Sequence, residues 1–287
     1  VDIDAFKAAL GPDVAAVMLT NPSTLGIFES RILEISSAAH EAGAQLYYDG
    51  ANLNAIAGRA RPGDMGFDVM HLNLHKTFTT PHGGGGPGTG PLGVKEHLYE
   101  FLPRPVVRFN GEAFYLDEDR PRSIGRMRSF YGNFGNLVRA YAYIRSLGLE
   151  GMRDVSAMAV LNANYMRTTF RELGFRIPFD RINMHEFVAQ PPEGMKTVDI
   201  AKALLDYGVH PMTVYFPLSV REAMMVEPTE TESLESLDEY VAVLKELLEK
   251  AEADPEFLAN APYTTPVRRL DEVQAARRPV LRYQKPE

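Results

Sequence analysis

The hydrophobic pattern changes period several times within the first 75 residues. Asp2 to Leu10 has helical spacing and stops at Gly11-Pro12, after which Ala15 to Thr20 is a short apolar run closed by the turn signal Asn21-Pro22 and reads as a buried strand. Ile32 to Ala42 returns to helical spacing and ends at a C-cap glycine, Gly43; Gln45-Leu46-Tyr47-Tyr48 is a second strand, with Asp49 just past its end. Asp68 to Asn73 is a third strand. Alternating strand, helix and strand predicts a parallel α/β sheet, which takes ligands at the carboxyl ends of its strands. Thr20, Asn21, Asp49 and the stretch from Asn73 to Thr77 fall at that edge.

The pattern changes again near residue 133. Phe134 to Ser146 and Asp154 to Leu173 have the spacing of long amphipathic helices. Beyond them, Met184 to Ala189 and Thr213 to Phe216 are expected as strands, and Val198 to Tyr207 and Leu234 to Ala253 as helices, an α+β mixture. The expected division is therefore a first domain over residues 1–132, a smaller α+β domain over 133–254 and a surface-hugging extension over 255–287. Glu227 to Glu232 reads as the acidic start of the last long helix, capped by Thr229 or Thr231.

Composition narrows the function classes. With 45% hydrophobic and 24% charged residues the chain belongs to the globular class, and a net charge of −8 argues against a nucleic-acid or anionic-membrane surface. There are no cysteines, so disulfides, thiolate zinc sites and a cysteine nucleophile are excluded. No apolar run is long enough to span a membrane and no signal-peptide pattern opens the chain, so a cytoplasmic location is expected.

The chemistry-bearing stretch is Tyr48-Asp49-Gly50-Ala51-Asn52, followed 27 residues after Asp49 by Lys76 in Asn73-Leu74-His75-Lys76-Thr77-Phe78. Pyridoxal phosphate (PLP) needs a lysine amine to form its Schiff base and a carboxylate against the pyridine nitrogen, which makes the ring an electron sink. Asp49 and Lys76 suit those roles from the ends of consecutive strands. The lysine is expected to be partly desolvated, crowded by His75 and Thr77, which favours the neutral amine. Ala51 is either a small residue against the ring or only a helix former. Asn21 either donates to the cofactor's ring oxygen or closes an Asx-turn before proline.

The loop His82 to Gly90 either exposes backbone N–H groups to an anion or permits a tight fold-over beside Lys76, and it lacks the Gly-Lys-Ser/Thr ending of a nucleotide loop. Arg126 or Arg128 can hold a carboxylate or phosphate, although surface salt bridging is the commoner fate of an arginine. His185 and Glu186 sit in an alternating strand-like run, where consecutive residues face opposite sides, so no metal site is expected there.

These residues make the chain resemble the glycine-cleavage-system P-protein family, glycine dehydrogenase (decarboxylating), most closely the carboxyl-terminal part of its second subunit. The stretches that carry the resemblance are Met18 to Gly26, Tyr48 to Ala55, Asp68 to Gly90, Arg126 to Asn133, Met184 to Val188 and Ala261 to Arg269. The resemblance implies a type I PLP-dependent transferase fold, with residues 1–132 as the carboxyl-terminal portion of a large domain built on a seven-stranded, mostly parallel sheet. It implies that Lys76 matches the PLP lysine and Asp49 the pyridinium partner; with the residue reading above, Lys76 and His75 are the candidate catalytic residues, and Lys76, Asp49, Ala51, Asn21 and Thr20 the candidate PLP contacts. The implied reaction decarboxylates glycine and passes the aminomethyl group to the lipoyl arm of the H-protein, with a homologous alpha subunit as partner. In that family the ring-stacking residue and much of the phosphate cup lie in an amino-terminal segment that precedes the match to Val1. The competing readings are another type I PLP enzyme, a decarboxylase or aminotransferase, and an assembly fragment without catalysis.

Overall fold

A computed structural model describes residues 1–84, 88–128, 131–283 and 285. The first helix, α1 (Ile3–Ala9), starts where the Asp2 side chain accepts the Ala5 N–H at 3.0 Å. It leads into β1 (Ala16–Thr20), α2 (Ile32–Glu41), β2 (Gln45–Gly50) and β3 (Val69–Leu72), in the order and type the sequence predicts. β1, β2 and β3 pair in parallel, and β4 (Leu92–Val94) adds an antiparallel edge to β3. Four strands make up this sheet among the described residues.

β2 shows why the sheet sits as it does. Leu46, Tyr48 and Gly50 are buried while Gln45, Tyr47 and Asp49 are half-buried, the period-2 alternation of a strand with one face on a core. The buried face packs with Ile32, Ile35 and Ala39 of α2 and with Phe67. Tyr48 stacks edge-on to Phe67 at 4.9 Å and donates its hydroxyl to the Asn21 carbonyl at 2.9 Å, so its one polar atom is satisfied in the core.

The chain divides into two compact units. Unit 1 comprises Val1–Asn164, Arg181–Phe187 and Pro228–Glu230. Beyond β3 it contains α3 (Leu74–Thr77), the hairpin β5 (Val106–Phe109) and β6 (Phe114–Asp117), and most of α4 (Phe134–Glu172), which is broken at Gly148. Ala140 and Met152 of α4 pack with Ala57, Leu74 and Phe78. The hairpin, β4 and β9 (Met224–Val226) carry no sequence signal strong enough to have been expected.

Unit 2 holds the sheet ordered β7 (Phe187–Ala189, whose first residue belongs to unit 1), β9 and β8 (Thr213–Val214), with α5 (Thr197–Leu204), α6 (Leu234–Ala253), α7 (Phe257–Asn260) and α8 (Glu272–Arg277). Its core includes Phe170, Ile200, Leu204, Met224, Leu244 and Leu247. The cap of α6 is Ser233, which accepts the Ser236 N–H at 3.2 Å, and not Thr229 or Thr231. Ser233 immediately precedes the first helical residue, the only place from which a short side chain reaches the first free N–H groups. Within this unit Arg269 ties the tail down through Asp199 at 2.8 Å and the Ala261 and Leu258 carbonyls. No helix among the described residues is long and apolar enough to cross a membrane.

Two contacts in unit 1 yield tests. Gly26 has a φ of 71° and lies where a Cβ would come within 1.7 Å of the Glu186 carbonyl oxygen, so only glycine fits. Gly26→Ala should destabilise the protein by about 2–4 kcal/mol, the sum of a left-handed backbone penalty and an overpacked contact, read as a lower urea midpoint. Asp68 is buried, which alone would raise its pKa, yet the Leu46 N–H at 2.8 Å, His40 at 2.7 Å and Lys95 at 3.6 Å hold it below the usual carboxylate value. A carboxylate depressed in the folded state stabilises above its unfolded pKa of about 3.9, and that contribution is lost as pH falls through the folded value. Thermal melts from pH 5 downward should therefore show a steeper acid loss for the wild type than for Asp68→Asn.

Candidate active site

The parallel register brings the expected residues to one edge. Thr20 pairs with Asp49, and Asp49 pairs with His71, so β1, β2 and β3 end at one level. Asp49 lies within β2, one residue from its end, and not beyond it as the sequence suggested. Its Oδ1 accepts the Ala51 N–H at 2.9 Å and lies 3.3 Å from Nε2 of His71. Ala51 follows in the turn after β2 and is half-buried.

Asn52 anchors this turn. It is 6% exposed, and its Nδ2 donates to the Pro22 carbonyl at 2.9 Å and to Oε1 of Glu186 at 3.3 Å. Nε2 of His185 lies 3.4 Å from the same Glu186 oxygen. The alternation argument for His185 and Glu186 is therefore corrected: β7 begins only at Phe187, so the two side chains precede the strand and converge. Burial, followed by the charge of Lys76, pushes His185 down to about 3, which makes it a neutral imidazole on the lysine's side of the site.

Lys76 sits in α3, a single helical turn whose backbone is held by the Asn73 carbonyl. Lys76 is exposed, contrary to the expected desolvation, while His75 is half-buried and Thr77 buried. It makes no ion pair with a described residue. Burial and then the charges of His82 and Lys76 push His75 below the usual histidine range, and its ring meets that of His82 edge-on at 4.7 Å. Thr79 just beyond adopts a left-handed φ of 55° and its carbonyl accepts Nε of Arg139 at 2.5 Å.

The other candidates divide. Asn21 is 1% exposed; its Oδ1 accepts the Glu29 N–H at 2.9 Å and its amide faces the Met65 sulfur at 3.8 Å, so the side chain braces the turn after β1 from inside. The glycine loop folds back at its far end, with Leu74 N–H on the Thr89 carbonyl at 3.2 Å and Leu72 N–H on the Pro91 carbonyl at 3.0 Å. Gly85 to Pro87, and Ser129 and Phe130 of the other quoted stretch, lie outside the described residues. Arg126 is exposed and pairs with Glu118, the surface fate, and Arg128 is exposed.

A lysine turn after one parallel strand and a carboxylate at the end of its neighbour belong to a known architecture: the fold is that of the type I PLP-dependent enzymes. A solved glycine decarboxylase (P-protein) of the glycine cleavage system, in inhibitor-bound form, aligns with a TM-score of 0.71 and 25% identity over 83% of this chain and 56% of that one. A cysteine desulfurase from Thermococcus onnurineus aligns with a TM-score of 0.68 over 87% of this chain and 64% of that one, at 16% identity, a likeness of fold alone. Residues 155–261 match a family described as glycine dehydrogenase, C-terminal domain. The probable glycine dehydrogenase (decarboxylating) subunit 2 of Thermus thermophilus is 65% identical over 283 residues, 99% of this chain. Over the length it spans, the chain is similar to glycine dehydrogenase (decarboxylating) subunit 2, and it spans 59% of the length of that relative.

The residues present fit a pyridoxal phosphate. Oδ1 of Asp49 accepts the Ala51 N–H and lies beside Nε2 of His71, while Oδ2 has no partner among the described residues. Around Lys76, the buried oxygens of Asn73, Thr77, Thr80 and Thr89 and the Nδ1 of His75 also have no hydrogen-bond partner among the described residues. Orphaned polar atoms clustered at one site are what a bound polar ligand would satisfy. Sequence reasoning missed His71, Tyr47, Asn52 and the Glu186–His185 pair. The parity of β2 and β3 carries the signal for the first two, since Tyr47 and Asp49 share a face and His71 lies across from it.

Asn52→Ala removes the donor shared by the Pro22 carbonyl and the Glu186 carboxylate. Leaving these buried acceptors short of a partner should cost about 1–3 kcal/mol, seen as a lower melting temperature.

Proposed function

We propose that this chain carries the PLP-holding residues of a glycine decarboxylase: it decarboxylates glycine and hands the aminomethyl group to the lipoyl arm of a carrier protein, the H-protein. The observation that carries this reading is the placement of Asp49 and Lys76 at the carboxyl ends of adjacent parallel strands, in a chain so similar to glycine dehydrogenase subunit 2. When bound, PLP supplies an electron sink for the pair left by departing carbon dioxide.

The chain's own residues have distinct parts. Lys76 holds the cofactor covalently through its amine, which is exposed and bound by no carboxylate among the described residues. Asp49 accepts the ring N–H through Oδ2 and keeps that nitrogen protonated. Ala51 is small enough for the ring to approach, and Thr20 lines the edge beside Asp49. His75, held neutral, takes and returns a proton at Nδ1 beside Lys76. The name subunit 2 supports assembly with a homologous alpha subunit, and the absence of a membrane-crossing helix among the described residues supports a cytoplasmic place of work. An aminotransferase would use the same lysine and carboxylate but would keep the substrate's carboxyl group.

Borohydride reduction of the PLP-loaded full-length protein, followed by peptide mass analysis, should place the adduct on Lys76, and Lys76→Ala should lose it. Glycine labelled in its carboxyl carbon should exchange with bicarbonate only when lipoylated carrier is present. Asp49→Asn should lower that exchange on the order of a hundredfold, the usual cost of removing one electrostatic stabiliser. Retention of the labelled carboxyl group by the wild type would sink the decarboxylase reading.

A further inference from the structure

Asp49 does not stand alone on its sheet face. Tyr47 precedes it by two residues on the same side of β2, and His71 is its register partner on β3. Nε2 of His71 lies 3.3 Å from Oδ1 of Asp49, and Nδ1 of His71 lies 2.9 Å from the Tyr47 hydroxyl. The two rings tilt against each other at 5.7 Å between centroids. All three residues are half-buried, so the contacts form away from bulk water without the penalty of full burial.

We propose that His71, steered by Tyr47, is a positioning residue for Asp49: it donates Nε2–H to Oδ1 and thereby presents Oδ2 as the acceptor for the PLP ring nitrogen. The inference rests on the PLP reading above and deepens it. The hydrogen bond made by one imidazole nitrogen fixes which form the other takes. With the Tyr47 O–H donating to Nδ1, the proton of a neutral ring must sit on Nε2, facing Asp49. If the ring gains a second proton, the hydroxyl turns to accept from Nδ1, and Nε2 still donates to the carboxylate. The phenol keeps its proton under these conditions, because burial and then the Asp49 charge push Tyr47 above the usual tyrosine value. The Ala51 N–H already holds Oδ1 at 2.9 Å, so a shift of the His71 ring toward its proposed hydrogen bond would give that oxygen a second donor.

The test has two readouts. Imidazole 15N NMR of the full-length protein without added PLP should show His71 as the Nε2–H tautomer, and Tyr47→Phe should mix the two tautomers; a predominantly Nδ1–H wild-type ring overturns the proposal. In the PLP-loaded protein, His71→Leu should lower kcat for carboxyl exchange on the order of tenfold with KM for glycine little changed, as for loss of a residue that orients a ligating group. His71→Gln, which restores an N–H donor, should recover most of that loss, and Tyr47→Phe should fall between. A Gln variant no better than Leu, or wild-type kcat in a folded His71→Leu, overturns it. If His71→Leu fails to fold, Tyr47→Phe decides by the same kcat and tautomer criteria. Failure of the PLP reading itself is separate: no adduct would form on Lys76 in the wild type, while the tautomer measurement would still report on the hydrogen-bond chain.

Discussion

The parallel pairing of β2 with β3 is the constraint on which the candidate site depends. Side chains alternate along a strand, so a slip of one residue would turn Asp49 into the core and bring Tyr48 out to its place. The register is fixed from the buried side: Leu46 and Tyr48 are both fully buried, and the Tyr48 hydroxyl is committed to the Asn21 carbonyl. Gly50 adds a second lock, since a Cβ there would come within 2.0 Å of the His71 carbonyl oxygen. Core packing on one face thus sets the chemistry available on the other.

A second layer of restraint acts on the turn that follows. Within unit 1, Asn52 and Glu186 are brought together by the close approach of Gly26 to the Glu186 backbone and by the hydrogen bond from Met184 N–H to the Gly26 carbonyl at 2.7 Å. Residues far apart in the chain therefore hold Ala51 between Asp49 and a buried amide. Buried polar contacts of this kind add little net energy when complete, yet they are costly to break. They specify where the turn sits more than how strongly the protein folds.

Much of this was legible in the sequence, and the limits have physical causes. Around the site, α2 and β2 were readable because each buries one face and so shows its period, and β1 and β3 because each is a short apolar run closed by turn or polar residues. The Asp49 and Lys76 pairing was readable because strand ends in a parallel sheet gather at one edge. The hairpin of β5 and β6 escaped because its apolar residues fall on both faces, Phe114, Tyr115 and Leu116 in succession and all exposed, so no period-2 pattern marks a buried side. The convergence of His185 with Glu186 escaped because it depends on where a strand starts, and strand ends are set by partners elsewhere in the chain. The bracing contacts of Asn21, to Glu29 N–H and the Met65 sulfur, likewise have no local signature.

The exposure of Lys76 follows from how its turn is built. The segment is fastened by backbone contacts, Leu72 to Pro91, Leu74 to Thr89 and Arg139 to the Thr79 carbonyl, and none of them uses the lysine side chain. An ion pair would hold the amine charged and fix it in place, which works against nucleophilic use. Its neighbours His75 and His185 are both pushed toward the neutral form, so neither sets a second positive charge against the amine. Desolvation of the amine is then a property that a ligand would bring by covering the exposed lysine, and the buried threonine and asparagine oxygens without partners near that turn mark where polar groups are still unsatisfied.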